Sequence, residues 1–198
     1  MQPAPDTAST HPEAATLRYL IDARRSTFTV QAFSTGLLSA FGHSPKIAVR
    51  DIQGDVRFVS TGASLQDVKL QVVIQADTMG AIDDISDKDR REINRQTHDE
   101  VLEVNRFPEI RYDCSNATVT GTSNQYWAIL NGELTLHGET HRQVITAGVV
   151  LNGDVLRASG EFEVRQSDFG VAVVKVAGGA IKLKDEVKCT FDIVARKA

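Results

Sequence analysis

Cysteine is scarce in this sequence. The 198 residues hold only Cys114 and Cys189, far apart along the chain. Each falls on the apolar side of an alternating segment, so both read as small buried hydrophobes rather than as a disulfide or a reactive thiol. No Cys-x-x-Cys or Cys/His ligand spacing is present, which argues against a structural zinc site. Aromatic residues make up 6%, and the 22 basic residues are outnumbered by 26 acidic ones, for a formal net charge of −4. Nucleic acid is not expected as a partner, because phosphates want a basic field and stacked bases want interleaved rings. No apolar run approaches the ~20 residues of a membrane-spanning helix, so no transmembrane segment is expected. The opening stretch, MQPAPDTASTHPEAAT, lacks the basic and apolar regions of a secretory signal. Residues 1–16 therefore read as a disordered lead-in and 17–198 as one folded domain. As written, the chain is expected to stay in the cytoplasm.

Alternation is what the sequence has in abundance. Leu17 to Asp22 is a short strand, and Ser26 to Phe33 places Phe28, Val30 and Ala32 on one side, with threonines and Gln31 on the other. Period two is the signature of a strand with one face in a core. The same pattern runs from Ile47 to Val59, where Ile52, Val56 and Phe58 alternate, and from Gln66 to Ala76, with Val68, Leu70, Val72 and Ile74. Gly54 within the first of these suggests a bulge or bend. Later strands unite Ile110, Tyr112 and Cys114; then Leu130, Leu134 and Leu136; then Leu156, Ala158, Gly160, Phe162 and Val164. The last unites Val187, Cys189, Phe191 and Ile193. Arg142 to Leu151 is nearly continuously apolar. His137–Gly138 and Asn152–Gly153–Asp154 mark hairpin turns.

Two stretches break the alternation. Gly36–Phe41 is a compact apolar plug of Leu37, Leu38, Ala40 and Phe41, followed by His43 and Pro45. It is too short for an independent helix and must dock on something apolar. Ser86 to Val104 is the one convincing helix, capped by Ser86 and Asp87, with Asp89 in its first turn. Ile93, Thr97, Val101 and Val104 form its narrow apolar stripe, flanked by Leu102, and the rest of its surface is charged. Such a helix lies across a core. Phe107–Pro108 ends it.

About eight strands in hairpin order, each with one apolar face, imply an antiparallel lipocalin-like β-barrel with one amphipathic helix covering an end; a two-sheet sandwich is the alternative. An eight-stranded barrel has room for its own side chains or for one small ligand. The small inward residues Ala32, Gly54, Gly132, Ala158 and Gly160 suggest that space is left inside.

The stretches YLIDARRSTFTV, IQGDVRF, DKDRREINRQTHDEVLEVNRFPEIRY, LNGELTLHGETH and VRQSDFGV stand in this order from about Leu17 to Lys197. In order and spacing the chain resembles the YceI-like, lipocalin-like polyisoprenoid-binding family. The resemblance implies a barrel that encloses a long apolar chain, with a helix and loops over its mouth, in a family of mostly periplasmic or secreted proteins, many of them non-enzymatic carriers. Two departures stand out. No signal peptide precedes the domain, and Ser34 and Thr35 stand where the family has an early histidine, which appears here only at His43.

The expected lining of the barrel is Phe28, Val30, Ile52, Val56, Phe58, Leu70, Val72, Ile74, Ile110, Tyr112, Leu130, Phe162 and Phe191. Leu37, Leu38, Phe41 and Phe169 are candidates for gating or lining it, or for plain stoppers and corners. His43 is a candidate headgroup contact, though a histidine after a plug more often bonds a turn backbone. His137 and His141 straddle a turn with no third ligand, so no metal is expected. Arg90, Arg91, Arg95 and Arg106 could meet a phosphate, but acidic residues are interspersed among them. His98 and Asp99 are expected in solvent. No nucleophile elbow is present, and no cofactor is expected. The leading expectation is a soluble, non-enzymatic carrier of a long-chain lipid or isoprenoid. The alternatives are a filled-barrel interaction or assembly module, a homodimer among its forms, and an enzyme with His43 as base.

Overall fold

The computed structural model describes residues 15–35, 44–61, 64–173, 175–176 and 181–198. Residues 1–14 of the expected lead-in lie outside the described residues, as does the plug with Leu37, Leu38, Phe41 and His43.

Among the described residues the strands are β1 (Ala15–Ile21), β2 (Thr27–Gln31), β3 (Ser34–Thr35), β4 (Lys46–Ala48), β5 (Ile52–Ser60), β6 (Leu65–Gln75) and β7 (Gly80–Ala81). Helix α1 (Asp87–Arg95) follows. Then come β8 (Glu109–Cys114), β9 (Ala117–Thr122), β10 (Gln125–Leu136), β11 (Glu139–Asn152), β12 (Val155–Arg165), β13 (Lys175–Val176), β14 (Ile181–Leu183) and β15 (Glu186–Lys197). β1 includes Ala15 and Thr16.

Hydrogen bonding runs β1–β5–β6–β8–β10–β11–β12–β15, every pair antiparallel, and β15 returns to β1 through Tyr19↔Lys197 to Ile21↔Ala195. The ring of eight is therefore closed, and the sandwich alternative falls. Closure gives the end strands partners and removes the sheet edges that would otherwise invite association. Several short strands continue the long ones. β2 continues β1 along β15, β4 leads into β5, β7 extends β6 to meet β4, and β9 continues β8 along β10. The bend between β1 and β2 is built by Ser26, whose hydroxyl donates to Asp22 O at 2.8 Å and accepts from Val194 N at 3.0 Å. β9 carries Thr118, Thr120 and Thr122 outward, which hides its alternation in the sequence.

The base of the barrel is packed. Tyr19 and Phe58 stack with ring centroids 5.6 Å apart, both almost fully buried, and the Tyr19 hydroxyl donates to Gly153 O at 2.8 Å. Burial of the phenol, with Asp154 nearby, raises its pKa. At the opposite end, Ser86 caps α1 by accepting from Asp89 N. The expected continuous helix from 86 to 104 is in fact α1 followed by a widened π turn, Gln96–Val101. The turn brings His98 Nε2 within 2.6 Å of Met79 O, so His98 is tied to the barrel rim rather than solvated. Arg90 reaches back to Ala81 O and Asp83 O at 3.0 and 3.1 Å, and Asn94 Oδ1 accepts from Ala81 N. These bonds staple the helix to β7.

The hairpin joining β10 to β11 has a two-residue loop, His137–Gly138, with φ of +53° and +81°. Positive φ at both positions is the turn whose twist suits adjoining strands. β11 explains its nearly continuous apolar sequence. Ile145 and Ala147 are buried, while Val144 and Val150 face outward near Trp127 and Ile129 on the next strand, all substantially exposed.

Gly54 marks no bulge. It pairs in register with Val72, and the irregularity falls between Arg57 and Val59. A Cβ at Gly54 would lie 2.1 Å from Gln71 O, so close backbone approach requires the glycine. Gly132 and Gly160 do not leave open space either. A Cβ there would meet the Tyr112 ring at 2.5 Å and the Phe191 ring at 2.8 Å. Aromatic side chains lie over both glycines, as they do where rings cover glycine in sheets.

Candidate functional site

An apolar cavity of about 480 Å³ occupies the barrel interior. Its wall extends from the helix end, where Ile47, Met79 and Ile93 contribute, to the base, where Phe58, Leu65 and Leu156 contribute. Alternation creates this wall. Each strand turns every second side chain inward, and closure makes the inward sets of all eight strands face one another.

Phe28, Val30, Ile52, Val56, Phe58, Leu70, Val72, Ile74, Ile110, Tyr112, Leu130, Phe162 and Phe191 all stand on this wall. Phe28, Phe162 and Phe191 form a ring cluster with centroid separations of 6.2 to 6.5 Å. The apolar stripe of α1 and the π turn after it also reaches the cavity, through Ile93, Thr97, Val101 and Leu102. Phe169 is elsewhere. It sits on the turn after β12, buried, with its ring edge-on to His141 at 5.1 Å. β11 pairs with β12 only over Gly148–Asn152, and the Phe169 turn packs on β11 beyond that ladder. It fills a seam between diverging strands rather than touching the cavity.

Ile47, Val49, Met79, Leu65 and Gln166 also line the cavity, and alternation does not single them out. The first four sit on short or bent strand segments and a 3₁₀ turn, where period two is too brief to read. Gln166 is polar, and hydropathy points such a residue toward solvent.

Polar atoms on the wall are few. The Tyr112 hydroxyl lies 3.1 Å from Leu130 O and 3.0 Å from Gln143 O, and burial pushes its pKa up. Cys189 is a free buried thiol, pushed up to about 12 by burial. Cys114, off the wall, is also free and raised by burial. Both thiols stay protonated and weakly nucleophilic in such settings. Gln96, Thr97, Arg111 and Gln166 complete the polar wall, and no carboxylate or histidine among the described residues lines it. Gln166 is buried, and its Nε2 donates to Lys184 O and Asp185 O at 3.1 and 3.2 Å.

The charged candidates have local duties. Arg90 binds backbone carbonyls, Arg95 pairs with Glu92 and Glu100, and Arg106 pairs with Glu103 while lying over the Phe107 ring. His137 Nε2 lies 3.0 Å from Glu103 Oε1 and its ring rests 4.4 Å from that of Phe107. Hydrogen bonds from Arg106 and His137 hold the Glu103 carboxyl below its usual range. Among the described residues no cluster of three or more His, Cys, Asp or Glu side chains could hold a metal ion. No described helix is long and apolar enough to cross a membrane.

Solved structures share this architecture. Burkholderia cenocepacia BcnA superposes with a TM-score of 0.67 at 18% identity, covering 88% of this chain and 98% of that one. A polyisoprenoid binding domain from Saccharophagus degradans, implicated in plant cell wall breakdown, gives 0.64 at 13% identity over 92% and 99%. The Campylobacter jejuni YCEI protein gives 0.53 at 16% identity over 76% and 83%. At these identities the likeness establishes the fold. No curated protein matches the chain. The YceI-like domain model matches residues 19–195, and with a closed eight-stranded barrel built from that same stretch, the chain belongs to the YceI-like family.

Proposed function

We propose that this protein is a non-enzymatic carrier that holds a long-chain lipophilic ligand, a polyisoprenoid, quinone-like or fatty chain, inside its barrel. The observation that carries the reading is the apolar cavity of about 480 Å³, which reaches from the helix end to the base. That volume lies within the range of small-molecule sites, and its near-total apolarity selects hydrocarbon. Each buried methylene contributes ~0.8 kcal/mol, so a long chain offsets the cost of association without any ionic contact. The Saccharophagus degradans polyisoprenoid binding domain has the same fold, which supports a prenyl chain as the class to test first. A wall without carboxylate or imidazole among its described residues, and with a protonated thiol, supports carriage over catalysis. The filled-barrel reading requires an interior closed by its own side chains, and the cavity opposes it.

The test is organic extraction of purified protein followed by mass spectrometry, with native mass measurement of the intact complex. One lipid per chain is expected. A bare protein that also takes up no added prenyl or fatty ligand overturns the reading.

A further inference from the structure

Among the described residues Gln166 is the buried amide on a mostly apolar wall, only 8% exposed. Both backbone carbonyls near its side chain, Lys184 O and Asp185 O, are acceptors, so the group facing them must be the amide NH₂. That fixes the orientation of the amide and leaves Oε1 pointing away from this clamp. No described residue donates to Oε1. Yet among the described residues no sealed side-chain nitrogen or oxygen lacks a hydrogen bond. Gln166 lines the cavity, so the cavity is the open space within reach of that oxygen.

An unpaired carbonyl in apolar surroundings is costly unless a partner arrives. What it accepts is a donor. It offers nothing to a carboxylate or phosphate, and among the described residues the one cationic side chain on the wall, Arg111, is nearly half exposed and lies 3.8 Å from Glu109.

We propose that Gln166 is the polar anchor of the cavity: its Oε1 accepts a hydrogen bond from a neutral donor head of the ligand, a hydroxyl or an amide N–H. The ligand class is then a long-chain alcohol or amide rather than an acid or phosphate ester. This rests on the carrier reading and narrows it. Gln166 thereby has two duties. Its nitrogen clamps the turn after β12 to the start of β15, and its oxygen reads the ligand.

The experiment compares matched ligands on the intact protein by fluorescence displacement. Geranylgeraniol is set against its methyl ether, which keeps the chain and oxygen but cannot donate, and against geranylgeranoic acid at neutral pH. Hexadecanamide is set against N,N-dimethylhexadecanamide. One neutral hydrogen bond corresponds to about a 3- to 10-fold preference for the donor of each pair. Preference in the first pair alone identifies a hydroxyl head, and in the second alone an amide head. Gln166→Met should bring the preferred pair to parity while the methyl ether binds as before, with thermal melting reporting whether the clamp survives. Equal binding within both wild-type pairs, or tighter binding of the acid, overturns the anchor and leaves the carrier reading intact. Failure of every probe to bind overturns the carrier reading itself.

Discussion

Gly132 shows at the scale of one residue how this wall is made. Its missing side chain is the space into which the Tyr112 ring fits, and a Cβ there would lie 2.5 Å from that ring and 2.6 Å from Asp113 O. The backbone contact cannot yield as a flexible side chain would, so Gly132→Ala should lose about 1–3 kcal/mol of stability, read from the urea midpoint. Leu70 and Val72 present the contrasting case, because both face the cavity. Leu70→Lys or Val72→Asp should abolish retention of co-purified lipid, checked by extraction of a variant that still melts cooperatively. Undiminished lipid in such a variant would count against the cavity as the binding site. The inward identity of these residues was legible from alternation alone. The place of Phe169 was not. It lies on a turn outside any alternating run, and only the divergence of β11 from β12 shows what it fills.

At the scale of the element, the helix end was legible and the helix middle was not. Ser86 is a recognisable cap, and its side chain does accept from Asp89 N. Ser86→Ala should cost about 1 kcal/mol in chemical denaturation. The widened turn Gln96–Val101 has no such signature. It forms where side chains on two sides compete for the chain: His98 bonds the Met79 carbonyl, while Thr97, Val101 and Leu102 face the cavity. An unbroken α-helix spaces those residues differently, and π turns recur at functional sites. The base is held by another local device, the Tyr19 hydroxyl on Gly153 O. Tyr19→Phe keeps the stack on Phe58 and removes that bond, leaving the carbonyl without its partner. A loss of about 1 kcal/mol is expected, with the ligand affinity unchanged.

For the whole molecule, the ion pairs on the outer wall make stability depend on pH. A hydrogen bond from Arg157 holds the Asp192 carboxyl below its usual range. At Asp55 partial burial pulls upward, but hydrogen bonds from Arg18 and Arg57 outweigh it and the pKa is lowered. A carboxyl with a lowered folded pKa stabilises the fold above its unfolded pKa and stops doing so as pH falls through the folded value. The urea midpoint should therefore hold steady from about pH 7 to pH 5 and fall below about pH 4. Asp192→Asn should flatten part of that fall. A midpoint that instead fell on the alkaline side of pH 5 would show that other groups govern the transition.

The sequence by itself determined the long alternating strands, their inward and outward faces, the start of the amphipathic helix and the family. The first three are written locally, in a period of two, a cap residue or a turn pair, and the family is written in the order and spacing of its stretches. The tertiary structure alone decided closure, because the pairing of β1 with β15 joins the two ends of the domain and leaves no local trace. It decided that the room inside comes from closing eight strands around aliphatic side chains, since Gly132 and Gly160, expected to leave space, are covered by Tyr112 and Phe191. It also decided the direction of the Gln166 amide, which depends on carbonyls supplied by Lys184 and Asp185. Patterns of alternation are set by neighbours in the chain, whereas depth, closure and hydrogen-bond direction are set by neighbours in space.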